Sequence, residues 1–205
     1  MPESLVQVTS GGGPKLHTFQ RTIGANNVED EIVLQGLPYM ATYTVAISGI
    51  SVATAASHVL QIMAGASLVV YVHRITLWQA ASATAAAYCE WSLRRLTTAG
   101  TGGTAITPAI LDAADSASGA TAMTLPTVKG TEGPVPWRSN SWMIQTPAVG
   151  LPVWAPVFDF RASENGLYKP IRIPVGAANG LAVRNDTGVA GATVTGIAVI
   201  SEYTI

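Results

Sequence analysis

SLVVYVHRITLWQ (Ser67–Gln79) and YCEWSLRRLTT (Tyr88–Thr98), separated by the small-residue run AASATAAA (Ala80–Ala87), decide the fold. Both are rich in Val, Ile, Thr, Tyr and Trp, side chains that suit a pleated, half-buried surface. The second alternates: Cys89, Trp91 and Leu93 fall on one face, Tyr88, Glu90, Ser92 and Arg94 on the other. The first is apolar on both faces from Leu68 to Val72, and its polar groups (His73, Arg74, Gln79) come only toward the far end. A strand apolar on both faces needs cover on both sides. One cover is a second sheet. The other is expected to be a neighbouring copy of the chain, with Val70 and Val72 at the contact. Arg94 and Arg95 point to opposite faces of the strand, Arg94 toward a subunit interface and Arg95 toward a strand end.

Composition supports a packed, low-charge molecule. Of 205 residues, 48% are hydrophobic and only 11% charged, against about 25% charged in ordinary soluble domains. So few charges leave a surface of small polar residues or one buried against other chains. The formal net charge is −1, which argues against nucleic acid as a partner, since phosphate binding needs clustered Lys and Arg. Cys89 is the single cysteine, so no intrachain disulfide framework and no CxxC metal site exist. The start, MPESLVQVTSGGG, has no apolar run and does not read as a signal peptide. The charge-free stretch from Ile32 to His73 is broken by Gly36, Pro38, Gly49, His58, Gln61 and Gly65 and alternates in the β manner, so no membrane-spanning helix is expected.

Along the chain, Gly11-Gly12-Gly13-Pro14 is a flexible joint. Residues 1–14 are therefore expected as an extended arm, ahead of one domain over 15–205. Short strands are expected at Leu16–Ile23, Ile32–Gln35, Tyr39–Ser48, His58–Ala64, the opening pair, Trp137–Gln145, Leu151–Phe160, Lys169–Pro174, Leu181–Asn185 and Thr193–Tyr203. Between them, residues 99–135 are small and turn-rich, with Pro108, Pro126 and Pro134, and are expected as a long ordered loop. Within it, Thr107-Pro108-Ala-Ile-Leu-Asp112 has the signature of one helical turn. Many short strands, regular turn signals and almost no helical periodicity predict an all-β chain. The expected architecture is an antiparallel two-sheet β-sandwich of jelly-roll type.

No catalytic or cofactor signature emerges, and no enzyme activity, metal or cofactor is expected. His17, His58 and His73 have no metal-ligand spacing. Gly100-Thr-Gly-Gly103 lacks the Gly-Lys-Ser/Thr of a phosphate loop. Asp112 and Asp115 have the spacing of turn-capping residues as much as of cation ligands. Asp159, Arg161, Glu164, Lys169 and Arg172, with Asn165-Gly166 between them, read as a hairpin end laced by surface ion pairs. Asn185-Asp-Thr187 matches a glycosylation sequon. Trp137, Trp142 and Trp154 cluster in sequence. They are expected in the core and at a subunit interface, with stacking on a glycan as the alternative.

LRRLTTAGTGGTAITPAILDAADSASGATA (Leu93–Ala122) and NGLYKPIRIPVGAANGLAVRND (Asn165–Asp186) resemble segments of structural proteins from tailed bacteriophages. The resemblance is to β-sandwich virion proteins, of capsid decoration or cement type. It implies a homo-oligomer, a trimer, that sits on the head surface of the particle and contacts a major capsid protein. A tail, neck or head-fibre component is the alternative within the same particle, and a carbohydrate-binding module the alternative outside it. The resemblance carries no catalytic residues.

Overall fold

The computed structural model describes residues 18–23, 26–31, 40–81, 83–138, 142–144, 157–160 and 169–204. The chain divides into two compact units, Met1–Pro38 and Tyr39–Ile205. The expected arm, 1–14, lies outside the described residues, and the division falls at Pro38/Tyr39, well after the Gly-Gly-Gly-Pro joint. In the first unit, β1 (Thr18–Ile23) and β2 (Asn26–Glu31) form an antiparallel hairpin in which Thr18 faces Glu31 and Ile23 faces Asn26.

The second unit is built from β3 (Ala41–Ser51), β4 (Ser57–Met63), β5 (Leu68–Ala81), β6 (Ala87–Cys89), β7 (Trp91–Leu96), β8 (Thr104–Ile106), β9 (Ala109–Ile110) and β10 (Thr121–Thr124). It continues with β11 (Trp137–Arg138), β12 (Trp142–Ile144), β13 (Val157–Asp159), β14 (Ile171–Ile173), β15 (Gly180–Asn185) and β16 (Thr193–Thr204). No helix occurs among the described residues, and so none long and apolar enough to cross a membrane. Sheet I has the order β13-β5-β16-β3-β9, with β14 also on β5; sheet II has the order β11-β7-β15-β4-β10-β8. Every pairing is antiparallel. A small ribbon, β12 with β6, completes the unit.

One apolar cluster draws on both sheets: Tyr43, Val45 and Ile47 from β3, Ile75 and Leu77 from β5, Trp91 and Leu93 from β7, Leu181 and Val183 from β15, and Ala198 and Ile200 from β16. Two sheets sharing one core make a β-sandwich. The alternation expected of the Tyr88–Thr98 segment holds, and the last strand alternates in the same way. Cys89, Trp91 and Leu93 all point into the core, and so do Val194, Ala198 and Ile200, while Thr195, Ile197 and Val199 point outward.

An irregularity in β5 sets which of its faces is the inner one. Val199 stands opposite Arg74 and Ile200 opposite Val72, so His73 is an extra residue, a β-bulge. The bulge shifts the phase of alternation by one. Val70, Val72, Ile75 and Leu77 thereby all reach the same inner face. Val70 and Val72, expected at a subunit contact, are 0% exposed inside the chain's own core. They have no surface left for a neighbour.

The loop expected at 99–135 contains three strands. β10 pairs with β4 and β8 pairs with β10, lengthening sheet II, while β9 pairs with β3 and lengthens sheet I. The expected helical turn after Pro108 is therefore an edge strand: Ala109 and Ile110 face Thr44 and Tyr43, and Leu111 N donates to Thr42 O at 3.0 Å. Cross-strand pairing outweighs the local helix signal. Among the tryptophans, Trp137 lies in β11 opposite Leu93 and Trp142 in β12 opposite Cys89. Trp154 lies outside the described residues.

Candidate interaction surfaces

The outer faces of the two sheets differ in what covers them. On sheet II, Ser92, Arg94 and Leu96 of β7, Ala182 and Arg184 of β15, and His58, Gln61 and Met63 of β4 alternate with core residues and so point away from the core. Yet Met63, Leu96 and Ala182 form a second buried apolar cluster, and His58 and Gln61 are buried too. Their cover is the chain itself. Leu96 ends β7, and four residues on, Gly100 N donates to Gln61 Oε1 on β4 at 3.0 Å. β15 lies between β7 and β4, so residues 97–100 cross over it, above Ala182. The segment returns beside itself: Thr101 and Val128 exchange backbone hydrogen bonds, and Thr97 N donates to Thr131 O at 3.0 Å. A side chain at Gly100 would meet Gln61 and Pro126, and one at Gly130 would sit 2.2 Å from Thr98 O. These close approaches need glycine.

A polar network pins this segment down. His58 Nε2 lies 2.8 Å from Glu132 Oε1, and Gln61 Nε2 lies 2.6 Å from His58 Nδ1. Arg184 donates to Glu132 Oε2 at 2.6 Å, with Arg94 Nε 3.7 Å from the same oxygen. Asp186 Oδ1 accepts from Ser92 Oγ at 3.0 Å and lies 3.0 Å from Arg184 Nε and 3.5 Å from Arg94. Burial pushes the His58 pKa below its ordinary value, against the pull of Glu132. Burial acts to raise the Glu132 carboxyl, but the hydrogen bonds from His58 and Arg184 outweigh it and hold the pKa below the usual range. Arg94, expected at a subunit interface, is thus engaged by the chain's own carboxylates. Gln61, Glu132 and Asp186 stand out in the structure and not in the sequence. Their one sequence signal is that His58 and Gln61 are polar in an otherwise apolar strand.

On sheet I the outer face is covered at the end where Val69 and Ser201 are 1% and 0% exposed, and is more exposed toward Ala46 and Trp78. Its outward rows run Thr76–Ile197–Ala46, Arg74–Val199–Thr44 and Tyr71–Ser201–Thr42 across β5, β16 and β3. Ile197 and Val199 are half-buried at its centre. Trp78, beside Thr195, is 40% exposed, and Tyr203, beside Val69, is 43% exposed. The exposed part is mostly apolar, with Arg74 as its charged residue and Trp78 at its edge, a composition that suits a protein contact.

The remaining candidates have structural partners. Arg95 points inward at the sandwich rim and donates to Arg172 O, beside a cleft of about 280 Å³ lined also by Thr97, Pro174 and Asn179. His73 Nε2 lies 2.6 Å from Ser201 Oγ. Asp115 Oδ2 accepts from Thr42 N at 2.9 Å, and Asp112 Oδ1 from Ala114 N at 3.0 Å. Asn185 of the sequon is buried, accepting from Cys89 Sγ at 3.0 Å and donating to Val52 O at 2.7 Å. Among the described residues, no group of His, Cys, Asp and Glu is arranged to hold a metal. Of the charged group around Asn165-Gly166, residues 161–168 lie outside the described residues. Comparison with known proteins finds no matching family model, no matching curated protein and no matching solved structure.

Proposed function

We propose that the chain is a virion structural protein of a tailed phage, a decoration or cement subunit built on a jelly-roll sandwich. Strand order carries the reading. Taking the principal strands in chain order as β3, β4, β5, β7, β11, β13 with β14, β15 and β16, sheet I reads first-eighth-third-sixth and sheet II reads second-seventh-fourth-fifth. This is the order left when a long antiparallel hairpin wraps into two Greek keys, the arrangement of viral capsid and lectin domains. β8, β9 and β10 are an insertion between the fourth and fifth strands. The 11% charge and the partly exposed apolar face around Ile197, Val199 and Trp78 on sheet I fit a subunit whose work is burying surface against neighbours. The fold on its own does not assign the role, so assembly is the test.

Light scattering of the purified chain is expected to give a homotrimer, and sedimentation with shells of a phage major capsid protein is expected to carry it down. A stable monomer at tens of micromolar, or shells that pellet without it, removes the reading. The contact surface is proposed to be the outer face of sheet I, centred on Ile197 and Val199.

A further inference from the structure

We propose that Gly100, Gln61, His58 and Glu132 form an acid-sensitive latch, in which a second proton on His58 releases the Gly100 amide from Gln61 on the outer face of sheet II. The inference does not rest on the virion reading. It follows from the direction of each hydrogen bond in a chain of four groups.

Gly100 N–H can only donate, and it meets Gln61 Oε1 at 3.0 Å. That fixes which end of the Gln61 amide faces His58. The end is Nε2, 2.6 Å from His58 Nδ1, and an amide NH2 only donates. His58 Nδ1 must therefore present its lone pair. The ring's one proton sits on Nε2, where it points at Glu132 Oε1, 2.8 Å away. Glu132 closes the chain by accepting from Arg184 with its other oxygen. In this state every group is satisfied, and the imidazole is neutral.

A proton added at Nδ1 would face the Gln61 NH2, donor against donor. Flipping Gln61 cures that clash but turns Nε2 toward Gly100 N–H and makes another. Of the groups around His58, only Glu132 favours the new charge, and it lies at Nε2, not at Nδ1 where the proton arrives. Lys129 (held to Ala56 O at 2.9 Å), Arg184 and Arg94 are cations, and Glu132 and Asp186 are already shared with the two arginines. Protonation strengthens the Glu132 contact, so residues 131–134 stay. The contact that lets go is the one through Gln61, at Gly100 N–H. Thr97, Thr98 and Thr101 keep their hydrogen bonds to Thr131 and Val128, so the opening is confined to the Gly100 amide.

Two measurements on the full chain test this. Nitrogen-15 NMR of the imidazole at about pH 7.5 is expected to report the Nε2–H tautomer; an Nδ1–H tautomer overturns the latch. Amide exchange, corrected for its intrinsic pH dependence, is expected to show protection at Gly100 falling at least about tenfold between about pH 7.5 and pH 5, while the amides of β16 keep theirs. Unchanged protection at Gly100 overturns the proposal. Gln61→Glu supplies the discriminating variant. A carboxylate at this position accepts from both Gly100 N–H and a protonated Nδ1, so the variant is expected to keep Gly100 protected at pH 5 and to move the His58 titration upward. Opening of Q61E at the same pH as the natural chain overturns the proposal. The tautomer and exchange measurements on the natural chain stand even where that variant does not fold.

Discussion

Val70 shows how far alternation alone can be read. The apolar run Leu68–Val72 correctly marks a strand buried on more than one side, but the bulge at His73 is invisible in the sequence, because nothing local distinguishes an extra residue from a paired one. Without the bulge, Val70 and Val72 look spare; with it, they join Ile75 and Leu77 in the core. Val70→Asp is therefore expected to unfold the sandwich, with a loss on the order of 4 kcal/mol or more from an unpaired buried charge, read as collapse of the urea transition. Cys89 was legible as a core residue. Burial, opposed by its hydrogen-bonding neighbour Thr187, pushes its thiol up to about 12, so a thiol reagent at neutral pH should label it only at the rate of global unfolding. Glu202 was not legible, since an acid near a chain end reads as surface. It points inward and accepts from Ser118 Oγ and from the backbone N–H groups of Gly119 and Ala120, both at 3.0 Å. Glu202→Ala leaves those donors unmet and should cost about 3 kcal/mol in chemical unfolding.

The inserted segment between β7 and β11 is the element whose length the sequence announces and whose structure it conceals. Small residues and prolines mark a long excursion. They do not reveal that it adds β8, β9 and β10 to the edges of both sheets, because pairing partners lie tens of residues away. Its anchors pair across similar gaps: His58 with Glu132, Gly100 with Gln61. The stability of this element should depend on pH with a definite sign. His58 and Glu132 both have folded-state pKa values below their ordinary ones, 6.5 and 4.5 respectively. In each case the unfolded chain takes up the proton first, so the stabilisation is fully present above the unfolded value and is lost as pH falls through the folded one. Urea midpoints should hold above about pH 6.5, fall below it as His58 titrates, and fall again below about pH 4.5 as Glu132 does. A midpoint that rises on acidification would contradict the buried neutral imidazole.

At the scale of the whole molecule, the sequence yields the class and the structure yields the order. Short alternating strands with turns between them specify an antiparallel sandwich through burial alone. The order of strands within each sheet depends on pairings that leave no local trace, and it is the order that supports the jelly-roll reading. The same distinction relocates the test of assembly. A charge at Val70 tests only folding, because that residue has no outward surface. Ile197 and Val199 lie on the central strand of sheet I, point outward and are partly exposed. Replacing either with Lys removes little from the core and should shift the unfolding free energy by less than about 1 kcal/mol. The same lysine would be buried against a neighbour in the proposed trimer, at a cost of several kcal/mol per contact. Ile197→Lys and Val199→Lys should therefore give monomers in light scattering with a nearly unchanged urea midpoint. Trimers that survive both substitutions would move the contact elsewhere on the molecule.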